Sequence, residues 1–294
     1  MYDKEIQYNK KTSAKFGWHP NWFGADNFDV NLIENIKVFQ REHKLNDDGM
    51  CGSATYRRIF TERESEISYY EEKEFDDGEK HIVYNGIFYP IEWNKVILWD
   101  EKNGLKAKEG NYREVIGEPR DIKLFVNHWD VCLNSKSCQS VLDQRGISVT
   151  FLIDNDGTIY QTCDMQHITY HAGNVNSFAT GVEISNAYYT KYQDWYVKNG
   201  FGERPLNTGT VRGKELEEHL DFYPVQIEAL QALWKAVSIA CDLPLISPLV
   251  DGQESDRFYD NAYNGNWRGL VHHFHVSNKK IDCGGLIIRD TIKR

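Results

Sequence analysis

The chain has 294 residues, of which 40% are hydrophobic and 27% charged, and a formal net charge of -10. That length accommodates one large domain, or a large one with a small one, and no apolar run is long enough to span a bilayer. The acidic balance argues against nonspecific binding to nucleic acid, whose phosphates need a basic face, and no membrane partner is indicated.

The opening residues, Met1 to Ile6, are polar and lack the apolar core of a secretory signal, so cytoplasmic synthesis is expected. Six cysteines are too few for a disulfide scaffold. Free thiols are the default, although Cys132 and Cys138 are near enough in sequence to bridge across a turn. Residues 25–62 read as a small helical unit. Leu32, Ile33, Ile36 and Phe39 recur at helical spacing, Asn46-Asp47-Asp48-Gly49 supplies a turn, and Ala54–Phe60 forms a second helix with Ser53 as its cap. The stretch from Glu71 to Lys80 is dense in charge and reads as a solvated linker. The expected division is therefore 1–64, a small helical domain; 65–80, an acidic linker; and 81–294, a second domain.

Short β-like runs follow in that second domain: 82–84, 87–89, 96–99, 123–126, 149–153, 158–160 and 181–184. Asp154-Asn155-Asp156-Gly157 is a strong hairpin turn between two of them. Helical patterns interrupt the strands at 137–144 and at 224–241, where Ile227, Leu230, Leu233, Trp234 and Val237 make one apolar stripe. The second domain is thus expected to be α/β, a mixed central sheet flanked by helices. Residues 186–213 and 250–268 read as long loops around a cleft.

The segment Val271–Gly285 packs His272, His273, His275, Lys280, Asp282 and Cys283 into fifteen residues, a density of donors suited to a metal site. Zinc needs ligands from separate elements to close a tetrahedron, and His128, delivered at the end of the 123–127 strand, is the second candidate. Glu183 stands inside the apolar strand Gly181-Val182-Glu183-Ile184. Strand alternation either points it to solvent or buries it in the cleft, where an unpaired carboxylate needs a partner or a task.

His128 after a strand, then Gly146–Gly157, Tyr170-His171-Ala172-Gly173, Gly181-Val182-Glu183-Ile184, His273 and Lys280-Ile281-Asp282-Cys283-Gly284 follow in order the pattern of type 2 N-acetylmuramoyl-L-alanine amidases. The chain resembles that family, which shares its fold with peptidoglycan recognition proteins and amidase-type phage lysozymes, over roughly residues 120–290. Residues 31–60 separately resemble the small three-helix peptidoglycan-binding module, through Val38-Phe39-Gln40, Leu45, Asp48-Gly49 and Gly52-Ser53-Ala54-Thr55.

The resemblance implies zinc held by His128, His273 and Asp282, with Cys283 the rival to Asp282 and Asp130 a weaker one. It makes Glu183 the general base and Lys280 the group that stabilises the oxyanion. His171 and Asn174 become substrate contacts, and His272 and His275 are bystanders, one of which could line the cleft. Some phage relatives use a tyrosine near the second strand as base; Val149 stands there, which leaves Glu183. The implied activity is zinc-dependent hydrolysis of the amide between N-acetylmuramic acid and L-alanine in peptidoglycan, as in a monomeric phage endolysin that acts on the bacterial cell wall. The alternatives are a non-catalytic peptidoglycan-binding protein and a peptidase of the stem peptide.

Overall fold

The computed structural model describes residues 2–292. Its first part contains three helices, α1 (Asp3–Phe16), α2 (Val30–Glu42) and α3 (Ser53–Ile67). In α2 the Asp29 side chain caps the amino end by accepting from the Leu32 N–H. Leu32, Ile33 and Ile36 are fully buried, each worth roughly 1.5–3 kcal/mol against exposure. The expected Ser53 cap is not formed: Gly52 occupies the cap position and Ser53 is the first helical residue. The expected turn closes at Gly49, whose φ of +72° suits a residue without a Cβ. The unit also begins before the expected residue 25. From α1, Asn9 donates to Gly49 O and accepts from the Cys51 N–H, clamping that turn from within.

Most of residues 65–80 are exposed, but the segment is tethered at Tyr70 and Lys73. Lys73 pairs with Asp154 at 2.9 Å and the Tyr70 hydroxyl donates to Asp156 at 2.5 Å, so both acids of the 154–157 turn hold this segment against the α/β part. After it come the hairpin β1 (Lys80–Tyr84) and β2 (Ile87–Ile91), then strands β3 (Val96–Leu98), β4 (Leu124–Trp129), β5 (Phe151–Ile153), β6 (Ile159–Gln161), β7 (Ala179–Ile184) and β8 (Gly269–His272). The central sheet runs β8-β4-β7-β5-β6-β3. The first four are mutually parallel, and β6 turns back antiparallel to β5 through the expected hairpin. The domain is mixed α/β with a mixed sheet. β8 lies at an edge of the sheet and was not anticipated.

Alternation divides the side chains between two faces. Phe125, Trp129, Val182, Ile184, Phe151 and Ile153 meet α5 (Pro224–Cys241), which follows α4 (Ser135–Arg145) in the chain and buries Leu230, Leu233, Trp234 and Val237. Leu152 and Tyr160 face the other way. They share one apolar cluster with Val141 and Leu142 of α4 and with Phe16, Leu32, Ile36, Tyr56 and Ile59 of the amino-terminal helices. Thr61 of α3 donates to Val131 O, and Glu62 receives the Lys191 ammonium and the Tyr192 hydroxyl. The helical unit is therefore seated on the sheet face that carries the chemical groups. The loop expected at 186–213 is packed: Ala187, Tyr192, Trp195 and Tyr196 form a cluster with Leu133, Leu220 and Tyr223. Arg204 stacks between Tyr196 and Tyr223 and donates to Ser185 O and Asp221 O.

Candidate metal centre

The register of three parallel strands builds the site. His128 on β4 is paired with Glu183 on β7, and His272 on β8 is paired with Asn127, so the next residue, His273, comes level with His128. Paired positions in neighbouring strands share a face. His128, Glu183 and His273 thus form a row at the carboxyl ends of the strands, where open α/β sheets place their ligands. His273 also begins the short helix α6 (His273–Val276), and the chain then returns to bring Asp282 over the row.

Asp282 Oδ2 lies 2.9 Å from His128 Nδ1 and 2.9 Å from His273 Nδ1. The donor atoms of the three residues all fall within 4.8 Å of one another, and all three residues are buried. Tetrahedral zinc with ligands at ~2.0–2.2 Å requires donor–donor edges of roughly 3.3 Å, so two imidazoles and a carboxylate this close fit the ion in both chemistry and spacing. Burial, reinforced by neighbouring His273, lowers His128 to about 4, which keeps its imidazole neutral and able to ligate near pH 7. Burial alone would raise Asp282, but the imidazoles of His273 and His128 hold its carboxyl well below the usual range.

His171 comes from the segment before β7, and its Nδ1 lies 3.0 Å from His128 Nε2. That approach depends on Gly181: a Cβ there would stand 2.6 Å from Val126 O and 2.8 Å from His171 Cε1. A neighbour on the other ring nitrogen is what orients a ligating histidine.

Glu183 contrasts with Asp282. Its Oε2 is buried without a hydrogen-bond partner, and burial, together with the charges of Asp282 and Asp130, pushes its carboxyl well up. A cavity of about 230 Å³ opens here, and His128, His171, Glu183, His273, Lys280 and Asp282 all line it.

Of the residues the sequence singled out, Asn174 is not brought into this cavity; it is exposed and donates to the Tyr263 hydroxyl at 2.5 Å. His272 and His275 do not line the cleft either. His272 Nε2 lies 3.4 Å from Glu254 Oε1, His275 Nδ1 accepts from the His272 N–H, and His275 Nε2 lies 2.6 Å from Ser255 O. Cys283 is buried and is not one of the three clustered donors. Asp130 accepts from the Cys132 and Asn186 N–H groups and is pushed up to about 7 by burial. It belongs to a separate group with Cys132 and Cys138, whose thiols are free. Sequence reasoning missed Arg57 and Arg58 of α3 and Arg145 of α4, which also line the cavity. The only sequence signal for the first two is a pair of adjacent arginines on a helix, which reads equally well as a solvated face, and Arg145 gives none.

Residues 118–263 match the model of a family described as N-acetylmuramoyl-L-alanine amidase. That segment, just under half of the chain, carries the family's sequence signature and contains His128, His171 and Glu183; His273, Lys280 and Asp282 follow it. No curated protein matches the chain. Among solved structures, the chain is similar to N-acetylmuramoyl-L-alanine amidase LysC from Clostridium intestinale URNW, with 17% identity, a TM-score of 0.38 and coverage of 67% of this chain and 94% of that one. A Drosophila PGRP-LB mutant in complex with tracheal cytotoxin is matched at 14% identity and a TM-score of 0.36, over 66% of this chain and 92% of that one. AmpDh3 from Pseudomonas aeruginosa, in complex with anhydromuramic pentapeptide, is matched at 17% identity and a TM-score of 0.32, over 56% of each chain. Among the described residues, no helix is long and apolar enough to cross a membrane.

Proposed function

We propose that this chain is a zinc-dependent N-acetylmuramoyl-L-alanine amidase acting on the bacterial cell wall in the manner of an endolysin, with residues 81–294 as catalytic domain and the helical unit before residue 65 as a peptidoglycan-binding module. The observation that carries the reading is the convergence of His128, His273 and Asp282 donors beside the unpartnered Glu183 Oε2 in one cavity. The amidase signature across residues 118–263 supports it.

Zinc held by His128, His273 and Asp282 would polarise the scissile carbonyl and make water acidic enough to react near neutral pH. Glu183 supplies the base. A carboxyl raised by burial is a stronger base than a solvated one, and with Oε2 unengaged it is free to take a proton from the attacking water and return it to the leaving alanine nitrogen. Lys280, on the cavity wall, donates to the oxygen that gains charge as the carbonyl carbon becomes tetrahedral. His171 orients His128 and contacts the substrate.

Digestion of purified peptidoglycan with and without chelator tests the proposal, with new termini identified by mass spectrometry. Free lactyl ends on muramic acid together with new L-alanine amino termini, both lost on chelation, are expected. Cleavage within the stem peptide, or wall binding without cleavage, would overturn the reading.

A further inference from the structure

The cavity has a second wall that the amidase chemistry does not use. Arg57 and Arg58 reach it from α3 and Arg145 from α4, so two of the three guanidiniums belong to the amino-terminal helical unit. Arg58 is only 8% exposed, and its plane is fixed by the Tyr189 ring, whose centroid lies 4.4 Å from Cζ. Arg58 Nε and Nη1, Arg57 Nε and Arg145 Nε are all buried without a hydrogen-bond partner. Among the described residues, no carboxylate forms an ion pair with any of the three.

A buried guanidinium such as that of Arg58 is costly without an anion, because its donors lose water and gain nothing, whereas Arg57 and Arg145 are partly exposed. The two acids that line the cavity make no ion pair with them, although the charge of Glu183 is felt at Arg145 and Arg57. Asp282 is engaged by two imidazoles, and the Glu183 oxygen is itself unpartnered. In a chain of net charge -10, three arginines without an ion pair concentrate positive charge beside Glu183 and the reactive row. Planar guanidiniums match the two oxygens of a carboxylate.

We infer that Arg57, Arg58 and Arg145 form a carboxylate receptor that selects acidic stem peptides, and that the amino-terminal unit thereby completes the substrate site rather than serving only as a wall tether. This rests on the amidase reading for the identity of the peptide, but not for the existence of the receptor.

The test uses the full chain and two muramyl dipeptides, one with a free α-carboxylate on its acidic second residue and one with that group converted to a carboxamide. Binding is measured by calorimetry in the Glu183→Gln background, and KM in the otherwise unchanged chain. A charge-assisted pair predicts a preference for the acid form of about tenfold or more. Arg57→Gln, at the less buried of the α3 positions, brings that preference close to unity, and Arg57→Lys retains part of it. Circular dichroism checks that both variants fold. Equal binding of the two peptides, binding of neither, or an undiminished preference in Arg57→Gln overturns the receptor. Preferential binding of the acid without cleavage in the unchanged chain would sink the amidase reading and leave the receptor standing.

Discussion

The two walls of the cavity are built on opposite electrostatic plans. On the sheet wall, one carboxylate oxygen of Asp282 satisfies two imidazoles at 2.9 Å each, and His171 approaches the far nitrogen of His128. On the helical wall, each of three arginines has a buried N–H donor without a partner among the described residues. The first wall is complete in itself and suits a resident ion, whereas the second is incomplete and suits a transient ligand. Glu183, on the sheet wall, faces the arginines with its carboxyl raised by burial and its Oε2 without a hydrogen-bond partner.

Breaking the sheet wall has the largest expected effect. His273→Ala removes one of three donors and leaves Asp282 with a single imidazole, so on the proposed reading zinc binding and amide cleavage are lost together. The loss of activity exceeds the roughly 10–100-fold that removing a merely supporting contact costs. Metal content by atomic emission, measured beside the rate of peptidoglycan hydrolysis, checks this; full activity without bound metal would refute the assignment. Glu183→Gln separates base from ligand. Metal content stays unchanged while kcat falls by about 10²–10⁴, the usual worth of a positioned proton acceptor.

Much of the sheet wall was legible in the sequence because its residues sit on, or directly after, short strands: His128 closes one and Glu183 interrupts another. What periodicity could not decide was whether Glu183 faced solvent. The parallel register with His128 decides it, and register between strands fifty-five residues apart is a tertiary property. The helical wall was hidden for a different reason. Arg57 and Arg58 become cavity residues only because α3 docks onto α4, and the docking surface mixes side chains of the amino-terminal helices with ones some eighty or more residues later, such as Val141, Leu152 and Tyr160. α1 escaped because its buried face is largely polar, Asn9 and Thr12 with Phe16, so hydrophobic spacing leaves no trace there. β8 was missed because four residues of strand run straight into the histidine cluster and were absorbed into it.

Gly181→Ala probes the sheet wall from behind. The new methyl would meet Val126 O at 2.6 Å and the His171 ring at 2.8 Å, so either the strand or the imidazole must shift. Overpacking of this kind destabilises by about 1–3 kcal/mol. Chemical denaturation gives the loss, and a parallel fall in metal affinity would show that His171 steadies His128. Unchanged stability and affinity would remove His171 from the supporting role.

The smallest effect sharpens how firmly the helical wall is held. His43, at the end of α2, is buried against Phe39 and Tyr189 on the seam between the helical unit and the 186–222 region. Burial, with the nearby charges of Lys191 and Arg58, lowers it from 6.5 to about 4. The unfolded chain therefore binds a proton at this residue between pH 6.5 and 4 while the folded chain resists it, so stability declines as the pH falls through that window and is unaffected by His43 above it. With solvent screening at a seam, the contribution is about 1 kcal/mol. His43→Gln removes the titration, and its stability, followed by urea denaturation from pH 7 to pH 4.5, falls less steeply than that of the unchanged chain. Parallel slopes would mean that the seam is open enough for His43 to titrate as it does in water, and the arginine wall would then rest on the apolar contacts of α3 alone.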